Sequence, residues 1–164
     1  MKPRLKNILV PVDFNEPSLN AIQYSLDIAD KINGTVYLLF VIETQGFIND
    51  FLQSANELVR LTDKAKEELN KLVEKLDNPR NIQVETRVER GKVYKKVLEV
   101  GKELNARFII LGENHPYDKD EVLGSTVYHV TLKSEEPVIT VKGEYKEMAR
   151  RILVPLDLTK QTRR

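Results

Sequence analysis

The sequence predicts an α/β fold: a doubly wound, five-stranded parallel sheet in the order 3-2-1-4-5, with helices on both faces. Three observations carry this. Short apolar runs alternate with segments of helical periodicity along most of the chain. Three of the runs are apolar throughout, as strands covered on both faces are. A further one, Ile82-Val84-Thr86-Val88, alternates apolar with polar and belongs at an edge, where that order puts the third strand.

Each element follows from local chemistry. Residues 8–12 make the first buried strand. Asn15, Pro17 and Ser18 then give helix-start chemistry, Leu19, Ile22, Leu26 and Ala29 recur at helical spacing, and Asn33-Gly34 supplies a left-handed stop. Thr35 to Ile42 is the second buried strand. Phe51, Ala55, Leu58, Thr62, Ala65, Leu69, Leu72 and Leu76 line one face of a long helix that Asn78-Pro79 ends. That spacing also fits a coiled coil, but Thr and Ala at seam positions make a poor zipper, so the reading is a helix lying on a sheet. Val93, Val97, Val100 and Leu104 mark the next helix, and Phe108 to Leu111 the next strand, closing on Gly112. A polar loop spans 113–121. A short helix runs from Ser125 to Leu132, and Pro137 to Val141 is the last strand.

Composition narrows the function. With 26 basic and 25 acidic side chains the net charge is +1, without the basic excess of a nucleic-acid surface. Cysteine is absent, which removes disulfides and thiol chemistry and fits a reducing compartment. The longest apolar run, Val36 to Ile42, is far short of the ~20 residues that span a bilayer. The N-terminal apolar stretch is likewise too short for a signal peptide. The expectation is a cytoplasmic protein with no membrane and no nucleic-acid partner.

One segment occurs twice. Residues 8–15 read ILVPVDFN and residues 152–159 read ILVPLDLT, 144 residues apart. A domain-sized offset parses the chain as one complete domain, 1–143, followed by 144–164, a linker and the first strand of a truncated second domain. Residues 152–156 are then expected to be extended, and buried only if a neighbour covers them.

In a doubly wound sheet the ligand crevice lies outside the strand C-termini, where the order reverses between strands one and four. Asp13 and Gly112 arrive there. The chain has no G-x-x-x-x-G-K-[ST] loop, no G-x-G-x-x-G and no H-E-x-x-H. His115 reads as a solvated loop residue, and His129 with Ser125 as a surface pair. Gly124-Ser125-Thr126 opens a helix, which suits either an anion at the N-terminus or plain side-chain capping. Asp13 suits either ribose hydroxyls or a cap on the following helix.

The residues ILVPVDFNEPSLNAI, the strand ending in Gly112, GST at 124–126 and PVITV at 137–141 together resemble a universal stress protein domain over residues 5–142. The repeat resembles the tandem members of that family. The resemblance implies a Rossmann-like fold of the adenine nucleotide alpha hydrolase type. It also implies a site, since some members bind ATP through a G-x-x-G, nine residues, G-[ST] signature. Gly112 matches its first glycine, and Gly124 with Ser125 its last pair. His115 stands at the second glycine, with eight residues rather than nine before Gly124. Pro11, Asp13 and Val41 fall where binders contact adenine and ribose, and Thr126 completes the helix start. The adenosine half of the site is therefore intact, while the phosphate half departs from the pattern. A Cβ at 115 obstructs an approaching anion, and Glu113, Asp118, Asp120 and Glu121 oppose it.

These residues frame three expectations. The first is a stress-response protein acting as a homodimer through the strand at Pro137 to Val141 and through unknown protein partners, with nucleotide binding weak or absent. The second is an ATP-binding stress sensor, in which magnesium enters only with ATP. The third is an adenylating enzyme of the same fold, disfavoured because DFNEPS after strand one has no phosphate-gripping glycines. No residue is assigned a catalytic or metal-binding role.

Overall fold

The computed structural model describes residues 6–43, 55–113, 124–148 and 151–153. Its elements run β1 Asn7–Pro11, α1 Glu16–Ile32, β2 Thr35–Ile42, α2 Ala55–Lys75, β3 Val84–Arg90, α3 Val93–Glu103, β4 Phe108–Glu113, α4 Ser125–Lys133 and β5 Val138–Lys142. The strands form one sheet in the order β3-β2-β1-β4-β5, and every pairing is parallel. This is the doubly wound arrangement the sequence predicts, with the alternating strand at an edge. The order reverses between β1 and β4, where Ile8 lies opposite Phe108.

Alternation along the strands sends side chains to two cores. Ile8, Val10, Val36, Leu38 and Ile110 pack with Ala21, Ile22 and Ala29 of α1 and Leu69 of α2. On the other face Leu9, Leu39, Val41, Ile109 and Leu111 pack with Val97 and Val100 of α3 and Val127 and Val130 of α4. Each fully buried Leu or Ile stabilises the fold by about 1.5–3 kcal/mol relative to exposure. On α2, Ala65 and Leu69 are buried and Leu58, Thr62 and Leu72 half-buried, as is Leu76 just past its end, so the predicted seam lies on the sheet. Phe51 of that seam lies outside the described residues.

Two close approaches fix where the helices begin and end. Asn33 alone takes the left-handed conformation that stops α1, at φ 50°. Gly34 does a different job: a Cβ there would lie 2.4 Å from the Lys6 carbonyl oxygen. At Gly112, in β4, a Cβ would lie 2.2 Å from the Pro17 carbonyl oxygen. The first turn of α1 thus rests directly on the β4 backbone.

Beyond β5 the chain turns back over α1. Tyr145 donates its hydroxyl to the Asp27 carboxylate, and its ring meets Tyr24 edge-on at 5.4 Å. Met148 packs against the α1-side core. Burial first, then the neighbouring Asp27 carboxylate, push the Tyr145 phenol well above its usual range. Residues 151–153 take no regular secondary structure, and Ile152 and Leu153 are 85% and 91% exposed. The rest of the second ILVPLDLT copy lies outside the described residues.

Candidate functional site

The C-terminal ends of β1, β2 and β4 open onto a cleft of about 210 Å³. Pro11 and Val12 form its floor, Leu39 to Val41 one wall, and Leu111 with Gly112 the wall beyond the reversal. Val93 at the start of α3 and Thr126 and Val127 at the start of α4 close the sides. Asp13 and Ser18 also line it. Most of these walls are apolar, while Asp13 brings a carboxylate. Such a surface suits a flat, largely apolar group carrying hydroxyls.

Asp13 is positioned by the turn between β1 and α1. Its Oδ1 accepts the backbone N–H of Asn15 at 3.1 Å, and its Oδ2 accepts from the Asn15 side-chain amide at 3.2 Å. Ser18, 5% exposed, donates its hydroxyl to the Asn15 carbonyl at 2.9 Å. Between them Phe14 holds φ at 63°. The capping alternative for Asp13 is thereby corrected. Asn15 is the N-cap residue of α1 and no side chain caps that helix. The Asp13 carboxylate ties the turn together instead, and being exposed it retains lone pairs for a ligand.

The start of α4 also differs from plain capping. Gly124 is the N-cap, no side chain among the described residues caps the helix, and the first intrahelical bond runs from Tyr128 N–H to the Gly124 carbonyl. The N–H groups of Ser125, Thr126 and Val127 have no acceptor within the helix, which leaves an anion-favouring end beside the cleft. Thr126 lines the cleft, whereas Ser125 is exposed and Gly124 half-buried just outside it.

The structure therefore brings Pro11, Asp13, Val41, Gly112 and Thr126 around one cleft. His115 lies outside the described residues. Gly112 is at the site, but its want of a side chain answers to Pro17 rather than to a ligand. His129 is not a surface partner of Ser125. Its ring stacks 4.7 Å from Tyr94 of α3, and its Nδ1 is buried without a hydrogen-bonding partner among the described residues. Sequence reasoning missed Val12, Ser18, Leu39, Phe40, Val93, Leu111 and Val127 as lining residues. The topology would have found them, because each sits at a strand C-terminus or in the first turn of a helix.

Comparison with known proteins agrees with this architecture. Residues 4–142 match the model of the universal stress protein family. Universal stress protein MJ0531 of Methanocaldococcus jannaschii is 26% identical over 145 residues, covering 87% of this chain and 85% of that one. The solved structure of hypothetical protein MJ0577 superposes with a TM-score of 0.68 at 26% identity, over 86% of this chain and 98% of that one. The universal stress protein from Archaeoglobus fulgidus in complex with dAMP shares the fold, with a TM-score of 0.59 at 17% identity, over 83% of this chain and 96% of that one.

Proposed function

The chain belongs to the universal stress protein family, and from that premise we propose that its cleft takes the adenosine part of an adenine nucleotide while gripping the phosphates weakly. One observation carries this reading: five residues scattered from Pro11 to Thr126 converge on a single apolar cleft with one carboxylate and one helix N-terminus. Val41, Val93 and Val127 would sandwich the base, and Asp13 would accept the ribose hydroxyls. Thr126 and the first turn of α4 would meet the first phosphate. In the sequence, the glycine signature that binders use for the phosphates has His115 at its second glycine and gathers carboxylates at Glu113, Asp118, Asp120 and Glu121. The dAMP held by the Archaeoglobus fulgidus relative is in keeping with this ligand class.

The same reading makes the protein a cytoplasmic stress-response component that works as a pair of domains joined along β5. The second copy of ILVPLDLT would be the opening strand of another such domain, as in tandem members. Among the described residues no helix is long and apolar enough to cross a membrane.

Calorimetry with AMP and with magnesium-ATP tests the nucleotide reading. The expected dissociation constants lie between ~10 µM and ~1 mM and agree within a few-fold, since extra phosphates add little. Asp13→Ala should abolish both. Low-micromolar ATP binding with AMP ~100-fold weaker would show a strong phosphate grip and overturn the weak half of the proposal. No heat with either ligand at millimolar concentration would overturn it entirely.

A further inference from the structure

We infer that Phe14 is a positioning residue for Asp13, an anchor that aims the carboxylate across the cleft without itself touching the ligand; this rests on the nucleotide reading above. The first ground is backbone geometry. Phe14 sits at φ 63°, a left-handed conformation that a bulky L residue seldom adopts and that glycine or asparagine would take more readily. The other three non-glycine residues with positive φ among those described are all asparagines: Asn33, Asn81 and Asn105. A phenylalanine in this conformation needs its surroundings to hold it there.

The second ground is where the ring goes. Its centroid lies 5.2 Å from that of Phe40, tilted by 44°. It lines a separate apolar cleft with Leu61 and Ala65 of α2 rather than the cleft that Asp13 lines. Reversing the chain at Phe14 thus sends adjacent side chains into different clefts. The ring, 37% exposed, rests on the α2 side, and the carboxylate before it lines the cleft on the α3–α4 side. The third ground is the hydrogen bonding on either flank of Phe14. Asn15 N–H reaches back over it to Asp13 Oδ1, so the carboxylate orientation depends on the turn staying closed. Ser18 Oγ lies 3.5 Å from the Asp13 N–H, a distance too long to hold the turn alone. The contact of the ring with Phe40 adds to the two bonds that Asn15 makes to the Asp13 carboxylate.

Phe14→Ala and Phe14→Tyr test the role, with amide hydrogen exchange and nucleotide titration as separate readouts. In Phe14→Ala the Asn15 amide should exchange about tenfold faster while amides of Leu9 and Ile22 keep their protection. Phe14→Tyr, which retains the ring, should restore it. With ATP and 2′-deoxy-ATP as probes, the wild type should prefer ATP, and Phe14→Ala should lose that preference together with about tenfold in affinity. A purely structural residue would instead raise exchange at all three amides and weaken both nucleotides equally, and that result overturns the inference. So does an Asn15 amide whose exchange does not change in Phe14→Ala. Faster exchange confined to Asn15 in a protein that binds neither nucleotide upholds the positioning role and sinks the nucleotide reading.

Discussion

The two edges of the sheet are built on opposite principles. At one edge β3 reads VETRVER, with four charged residues in seven. At the other β5 reads VITVK, with a single charge at its end. The β3 charges are engaged in place. Arg87 makes a bidentate pair with Glu103 of α3, at 2.9 Å on both nitrogens, and meets Glu89 at 2.7 Å. Arg90 crosses to α2, donating to Thr62 Oγ1 at 2.7 Å and to the Leu58 carbonyl at 3.1 Å. Near β5, by contrast, α4 leaves Leu132 66% and Tyr128 45% exposed. An edge strand offers a row of free backbone groups to any other strand, and interspersed charge is a usual bar to that. The difference lies in charge: β3 carries the interspersed charges that bar strand pairing, and β5 carries one.

Transferring the apolar character of β5 to β3 should have the largest effect. Arg87→Val with Glu89→Val would remove two of the charges from β3 and leave Glu103 unpaired. The expected outcome is a particle heavier than the wild-type assembly, growing with concentration in light scattering. An unchanged mass would mean that charge is not what keeps this edge closed.

The converse change acts on β5. Ile109 N–H bonds the Pro137 carbonyl, and Ile109 lies opposite Val138 in the parallel register. The backbone groups of 137, 139 and 141 therefore face β4, while those of Val138 and Thr140 face outward. Thr140→Pro removes only an outward N–H and should leave the fold intact, as proline at sheet edges does. The wild type is expected to scatter as a dimer at micromolar concentration and Thr140→Pro as a monomer, with Val138→Lys giving the same result. A monomeric wild type, or a Thr140→Pro variant of dimer mass, would remove β5 as the pairing strand.

A smaller effect is expected from Arg87→Ala alone. It cuts the ties from β3 to Glu103 and Glu89, but the neighbouring charges keep the edge polar. Ion pairs at this exposure contribute about 0.2–1 kcal/mol each, so denaturant unfolding should show a loss of roughly 1 kcal/mol with the mass unchanged. A change of mass in this variant would mean that the pairing, rather than the charge, closes the edge.

The contrast between the edges was legible in the sequence because it is local. Alternation over Ile82 to Val88 reports one exposed face, and continuous apolar runs at 8–12 and 35–42 report two covered ones. The five cleft residues that the structure brings together were legible for a similar reason, since strand ends and helix starts can be counted along the chain. What stayed hidden depends on contacts between distant segments. Nothing near Phe14 announces a left-handed backbone or the contact of its ring with Phe40 of β2. Gly112 was read as the first glycine of a nucleotide-binding signature, and nothing in the sequence showed that the Pro17 carbonyl lies where its side chain would be. His129 looked solvent-facing until Tyr94 of α3 was placed against it.

The smallest expected effect is a pH dependence confined to the charged edge. Hydrogen bonding from Arg87 holds the Glu103 carboxyl below its ordinary value of 4.5. A carboxyl lowered by folding contributes stability that is fully present above its unfolded pKa and is lost as pH falls through its folded pKa. Lys96 is raised above 10.5, chiefly by its hydrogen bond with Glu99, so its contribution is complete below 10.5 and fades only at higher pH. The edge network should therefore be level across neutral pH and weaken at the acid end, below about 4.5. Thermal unfolding of wild type and Glu103→Gln isolates this: the difference in Tm should stay constant from about pH 6 to pH 9 and shrink below the carboxylate range. Both groups are solvent-screened, so the difference is small, and added salt should reduce it further. Thr140→Pro, at the other edge, should keep the full wild-type response to Glu103→Gln. A Tm difference that persists unchanged at pH 3 would show that Glu103 contributes to β3 through packing rather than charge.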